Sequence, residues 1–220
     1  MEEDYILNNK EHWEVFYKER KIERPSSFFN FVNGKIPTNS LIVDLGCGVG
    51  NDSFAFSREG YDVIGLDRSK VGIMVNKRYL EEHDVNTNIT FTELDFSDPI
   101  STKKEFDSIR KRAIINNKPI VLYLRFLIHA IDEKTESTLL NEISRDFDEG
   151  TLFFAEFRTS QDKSQEKIYN DHSRRYINAE TFVDKLKQKK FEVLELNIGK
   201  GMSIFKSEDP YLARIMAIKG

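Results

Sequence analysis

Apolar residues in this chain occur in two patterns, short continuous runs and longer stretches spaced three to four residues apart, and the two alternate along its length. The runs read as buried strands over 41–45, 61–67, 88–94, 119–125, 151–158, 191–198 and 210–218. The spaced stretches read as helices over 69–83, 101–116, 132–147 and 178–190, with a shorter helix from Asp52 to Glu59 that Asn51 and Asp52 can cap and Gly60 stops. Strands alternating with amphipathic helices predict an α/β fold, a parallel sheet with helices on both faces. The last strand follows its predecessor without room for a crossover helix, so it is expected to pair antiparallel.

The first strand, Leu41-Ile42-Val43-Asp44-Leu45, breaks into glycine at every second position, Gly46, Gly48 and Gly50. Such a turn brings a ligand close to the main chain. The second strand, Tyr61 to Asp67, again ends in an acid, and an acid there can accept hydrogen bonds from both hydroxyls of a ribose. Together the two features imply an adenosine-type ligand. A nicotinamide or flavin dinucleotide is the rival, but its G-x-G-x-x-G pattern wants glycine where Asn51 stands. The carboxylates of Asp44 and Asp52 also oppose a pyrophosphate, whereas a ligand carrying a sulfonium and an ammonium tolerates them.

On these residues the chain resembles the class I S-adenosylmethionine-dependent methyltransferases, from about Leu41 to its end. Asp44 to Gly50 match the family's first motif residue by residue, and Asp67 matches the second. The resemblance implies a Rossmann-like sheet of seven strands with the last antiparallel, S-adenosyl-L-methionine as cofactor, and a third contact at Asp95, with Phe96 on the adenine. Asp95 has a second reading as the cap of the Ser97-Asp98-Pro99 turn. The expected cofactor residues are Asp44, Gly46, Cys47, Gly48, Asn51, Asp67, Arg68, Asp95 and Phe96.

The acceptor is sought at the carboxyl ends of strands four and five, where open α/β sheets place their crevice. Strand four runs into Arg125 and His129, and an arginine in so apolar a run needs an anionic partner. Strand five carries Glu156 and Arg158 on one face, so one can neutralise the other. The long polar loop from Thr159 to Ile177 holds His172, Arg174, Arg175 and Tyr176, a set that suits a phosphate or carboxylate. His172 to Tyr176 and Gly199 to Arg214 resemble segments of small bacterial methyltransferases found beside surface-polysaccharide and phosphosugar genes, which implies that Arg174 and Arg175 face the substrate.

The expected activity is methyl transfer to a small anionic metabolite or glycan. Its catalytic residues are Arg125 and His129, and its substrate residues Arg125, Arg158, His172, Arg174, Arg175 and Tyr17. His129 is a donor if the acceptor atom is already an anion, and a base if it is a hydroxyl or amine. The alternative is a non-catalytic protein of the same fold that binds the cofactor.

Composition narrows the field further. The 220 residues are 39% hydrophobic with no linker or repeat, so 1–220 is read as one domain with 1–40 as an N-terminal helical cap. That cap carries Trp13, Phe16, Tyr17, Phe28, Phe29 and Phe31 and is expected to cover the cofactor mouth. A net charge of -4 offers no nucleic-acid footprint, and no Cys/His cluster suggests a metal. The single cysteine, an amino terminus of Met-Glu-Glu-Asp and the lack of a long apolar run point to a cytoplasmic protein with no membrane segment.

Overall fold

A computed structural model describes residues 11–18, 20, 22–83, 88–164 and 175–220. Two helices come first, α1 (residues 11–18) and α2 (Ser27–Asn33). Strand and helix then alternate as β1 (Leu41–Leu45), α3 (Asn51–Arg58), β2 (Asp62–Asp67), α4 (Lys70–His83), β3 (Ile89–Glu93), α5 (Pro99–Ile115), β4 (Ile120–Arg125), α6 (Glu133–Asp146) and β5 (Leu152–Arg158). After α7 (Ala179–Gln188) the chain ends in β6 (Phe191–Gly199) and β7 (Leu212–Lys219).

Local chemistry explains most boundaries. Asp98, Asp132 and Asn178 each accept from a first-turn backbone N–H of the helix that follows, the strongest being Asp132 from Thr135 at 2.7 Å. Helix α3 departs from expectation. Its cap is Gly50 in the left-handed region, with no side-chain bond, because Asn51 accepts from the Glu23 N–H at 2.8 Å and Asp52 from the Ser26 N–H at 2.7 Å. The residues expected to start the helix fasten the N-terminal segment instead.

The seven strands form one sheet in the order β3-β2-β1-β4-β5-β7-β6. Strands β1 to β5 are parallel, while β7 inserts between β5 and β6 and is antiparallel to both. Alternating side chains feed two cores. Leu41, Val43 and Leu45 face the α5–α7 side with Ile109, Leu139 and Leu186, whereas Ile42, Val63 and Val121 face α2, α3 and α4 with Phe28, Phe54 and Ile73. Asp44 therefore shares its face with Ile42, beneath α3. The order reverses between β1 and β4, and the crevice opens at their carboxyl ends. No helix among the described residues is long and apolar enough to cross a membrane.

Register decides the ion pairs. Arg125, Glu156 and Arg214 lie side by side on β4, β5 and β7. Directly opposed side chains stand about 5 Å apart, closer than residues two apart on one strand, which are separated by roughly 6.6 Å. Glu156 accordingly pairs across the sheet with both arginines and not with Arg158 as its spacing along the strand suggested.

Candidate functional site

The glycine turn is held from three sides. The N–H groups of Gly46 and Cys47 donate to the Leu66 carbonyl at 2.8 and 3.1 Å, the Gly48 N–H donates to Asp67 Oδ2 at 2.8 Å, and Asn76 Nδ2 donates to the Gly48 carbonyl at 2.8 Å. Gly46, Gly48 and Gly50 have φ of +80°, +53° and +71°, a region that L side chains rarely enter. Asp67 takes a second backbone donor, Ser69, on its other oxygen at 2.8 Å, so it fixes the turn while each oxygen keeps a further acceptor site.

Asp44 lies behind the turn, with one oxygen on the Ser53 hydroxyl at 2.5 Å. Burial, with Asp52 and Asp67 nearby, pushes its carboxyl up to about 8, and the Ser53 hydrogen bond offsets only part of that. Asp52 accepts from the Ser26 hydroxyl at 2.8 Å and the Tyr123 hydroxyl at 2.6 Å. Asp95 caps the turn that follows it, Oδ1 accepting from the N–H and hydroxyl of Ser97 at 2.9 and 2.8 Å, and the residue also lines the cavity. Phe96 is buried in the α5-side core and reaches the same cavity.

That cavity has a volume of about 450 Å³, ample for a nucleoside with an amino-acid arm. All nine expected cofactor residues line it. Arg68 does so with Nη2 buried and without a hydrogen-bond partner among the described residues. The cavity continues past Tyr123 to Arg125, His129, Arg158, Ser203 and Phe205, so the expected catalytic pair and the nucleoside half share one chamber.

The residues expected to hold the acceptor are placed differently from the sequence reading in several cases. Arg158 is bound by two carboxylates, Asp162 at 2.7 Å and Glu208, leaving no positive charge to spare. Arg175 is not among the lining residues. Its Nη1 donates to Glu136 at 2.8 Å and to the Ile131 carbonyl at 3.1 Å, tying the loop to α6. Tyr17, expected among the substrate residues, lies instead on the glycine turn. His172 and Arg174 lie outside the described residues.

Arg125 keeps its charge for the cavity. One carboxylate, Glu156, faces two guanidinium groups: Arg214 Nε at 2.6 Å and Arg125 Nε at 3.2 Å. Arg214 is otherwise consumed by the Ser27 hydroxyl and the Met202 carbonyl, at 2.8 and 2.7 Å. Arg125 has weaker ties, a 3.3 Å bond to the Ser203 hydroxyl and the Phe126 ring at 4.5 Å. Phe126 adopts φ of +59°, a strained turn that ends β4 at the cavity wall.

His129 Nδ1 accepts the Arg158 N–H at 3.2 Å. The neutral ring therefore carries its proton on Nε2 and is a donor there. The residues that sequence reasoning missed are Ser26, Tyr123, Ser203, Phe205 and Arg214. Arg214 stood in a recognised segment, but nothing local showed that β7 would lie against β5.

A glycine turn and strand-end acids at the switch point of a doubly wound sheet define a nucleoside-binding α/β protein. Over residues 38–205 the chain matches the family described as a methyltransferase domain, and it belongs to that family. A sterol 24-C-methyltransferase of Kluyveromyces lactis is 27% identical over 111 residues, 48% of this chain and 30% of that protein. The match thus spans about a third of that relative's length. Among solved structures, a SAM-dependent methyltransferase from Anabaena variabilis superposes with a TM-score of 0.69 at 16% identity, covering 97% of this chain and 94% of that one. A glycopeptide N-methyltransferase complexed with S-adenosyl-L-methionine gives 0.62 at 14% identity, covering 91% and 96%. These likenesses show the fold.

Proposed function

We propose that this protein transfers a methyl group from S-adenosyl-L-methionine to a small acceptor bearing a phosphate or carboxylate, a metabolite or a glycan unit. The observation that carries the acceptor class is the partly satisfied guanidinium of Arg125, facing the cavity beyond the glycine turn.

The chain's residues fit the cofactor. The turn carries no Cβ where a nucleoside would lie against the backbone, Asp67 retains acceptor sites for ribose hydroxyls, and Asp44 and Asp52 suit a cationic centre. When bound, S-adenosyl-L-methionine supplies an electrophilic methyl on a good leaving group. The protein's part is then to bind, orient and exclude water. Arg125 holds the anionic group of the acceptor, with Ser203 Oγ in the place one of its oxygens would take. His129, as an Nε2 donor, suits an acceptor that is already anionic, and in this tautomer it does not serve as a base. Tyr123, held by Asp52, forms the wall between the two halves.

Calorimetric titration with S-adenosylmethionine, S-adenosylhomocysteine and NAD tests the cofactor, and a screen of phosphorylated sugars and small acids tests transfer. The Arg125→Met variant is expected to raise KM for an anionic acceptor about tenfold or more while S-adenosylhomocysteine affinity holds, given the strength of hydrogen bonds to charged groups. An unchanged KM refutes the role of Arg125. Cofactor binding without transfer to any acceptor favours the non-catalytic reading.

A further inference from the structure

Helix α1 is fastened across the nucleoside half of the cavity. Glu14 accepts from the backbone N–H groups of Lys70 and Val71, at 2.9 and 3.1 Å. These belong to the first turn of α4, whose donors have no partner inside the helix. Three residues on, the Tyr17 ring fills the angle between the glycine turn and α4. A Cβ on Gly48 would stand 2.7 Å from its hydroxyl oxygen, and one on Gly72 would stand 3.3 Å from its Cδ2. Trp13 stacks on Tyr17 with centroids 5.7 Å apart, and the Arg20 guanidinium lies 4.2 Å from the Phe16 ring at the same mouth.

The Tyr17 hydroxyl makes no hydrogen bond with the described residues, yet its ring lines the cavity. Burial beside Asp67, the Cys47 thiol and Asp44 raises its pKa well above the usual phenol value, so it stays a neutral donor. The methionine arm of the cofactor ends in a carboxylate, which Asp52 and Asp67 around the turn repel. A ligand carboxylate in such a setting needs donors that bring no further negative charge.

Resting on the methyltransferase reading, we infer that Tyr17 is a cofactor-contacting residue, donating its hydroxyl to the carboxylate of the methionine arm, and that Glu14 is the positioning residue that holds α1 over it. Trp13 is the single tryptophan of the chain, so it reports events at this helix.

The test compares S-adenosylhomocysteine with 5′-methylthioadenosine, which lacks the amino-acid arm, by calorimetry and by Trp13 emission. Tyr17→Phe is expected to weaken S-adenosylhomocysteine binding about tenfold or more, as loss of a hydrogen bond to a charged group does, and to leave methylthioadenosine affinity unchanged. Glu14→Gln is expected to give a smaller loss on S-adenosylhomocysteine alone. In the wild-type protein Trp13 emission should shift on S-adenosylhomocysteine binding. Equal S-adenosylhomocysteine affinity in wild type and Tyr17→Phe overturns the contact, and an equal loss for both ligands overturns it in favour of ring packing. A silent Trp13, or Glu14→Gln indistinguishable from wild type, overturns the positioning role. Failure of the wild-type protein to bind either ligand overturns the inference together with the reading beneath it.

Discussion

Replacing Glu156 by Gln tests the row of charges that spans β4, β5 and β7. The side chain is 0% exposed, and each of its oxygens serves a different arginine, at 3.2 and 2.6 Å. The amide keeps the shape but leaves two guanidinium groups without the anion between them. Removing one member of a buried ion pair costs about 3–5 kcal/mol, mostly the penalty of the charge left behind. Arg214, 8% exposed, is largely shut off from water, whereas Arg125 borders the cavity and can rehydrate. The loss should therefore fall at the lower end, about 3 kcal/mol. For a chain of this size, each kcal/mol lowers Tm by about 2–4 °C, so calorimetry should show a fall of about 6–12 °C. Urea unfolding should show a lower midpoint at unchanged m-value. Adding Arg214→Met removes the stranded charge and should restore at least half of the loss. A fall in Tm of under about 2 °C for the single variant, or strictly additive losses in the double one, would refute the account.

Three further outcomes concern Asp44 and Arg175. The native Asp44 carboxyl holds its proton up to about 8, against an ordinary 3.8. The native state thus binds more protons than the unfolded chain between these values, and stability without cofactor should fall as pH rises from roughly 4 to 8, then level off. A cationic ligand favours the ionised carboxyl, so S-adenosylmethionine binding near neutral pH should release a proton, seen as a buffer-dependent heat; a heat independent of buffer would contradict this. Arg175→Ala should cost about 1–3 kcal/mol, because Glu136 is 1% exposed and loses a 2.8 Å partner, while KM for the acceptor stays constant. A raised KM with unchanged Tm would return Arg175 to the substrate site.

The strands and helices after the N-terminal cap were legible within about two residues at their ends, because burial on both faces of a parallel sheet leaves continuous apolar runs and its covering helices leave a periodic stripe. The glycine turn and Asp67 were legible for a related reason. The contacts that build them are short in sequence, and glycine at positive φ has few substitutes. The part of the cavity around Arg125 and Arg158 was not legible, since its charges meet across strands whose order the sequence does not state. Arg125 needs an anion, as its apolar run implies, but only the placing of β5 beside β4 makes Glu156 that anion, and only the placing of β7 beside β5 shares it with Arg214. The same holds for Arg158, whose partners come from the following turn and from Glu208 in the β6–β7 loop. Tyr17 reaches the glycine turn because Glu14 docks on a helix more than fifty residues away. Local propensity writes the elements and the backbone turns into the chain, whereas the partner of a buried charge is chosen by register and strand order, quantities set by the whole packed sheet.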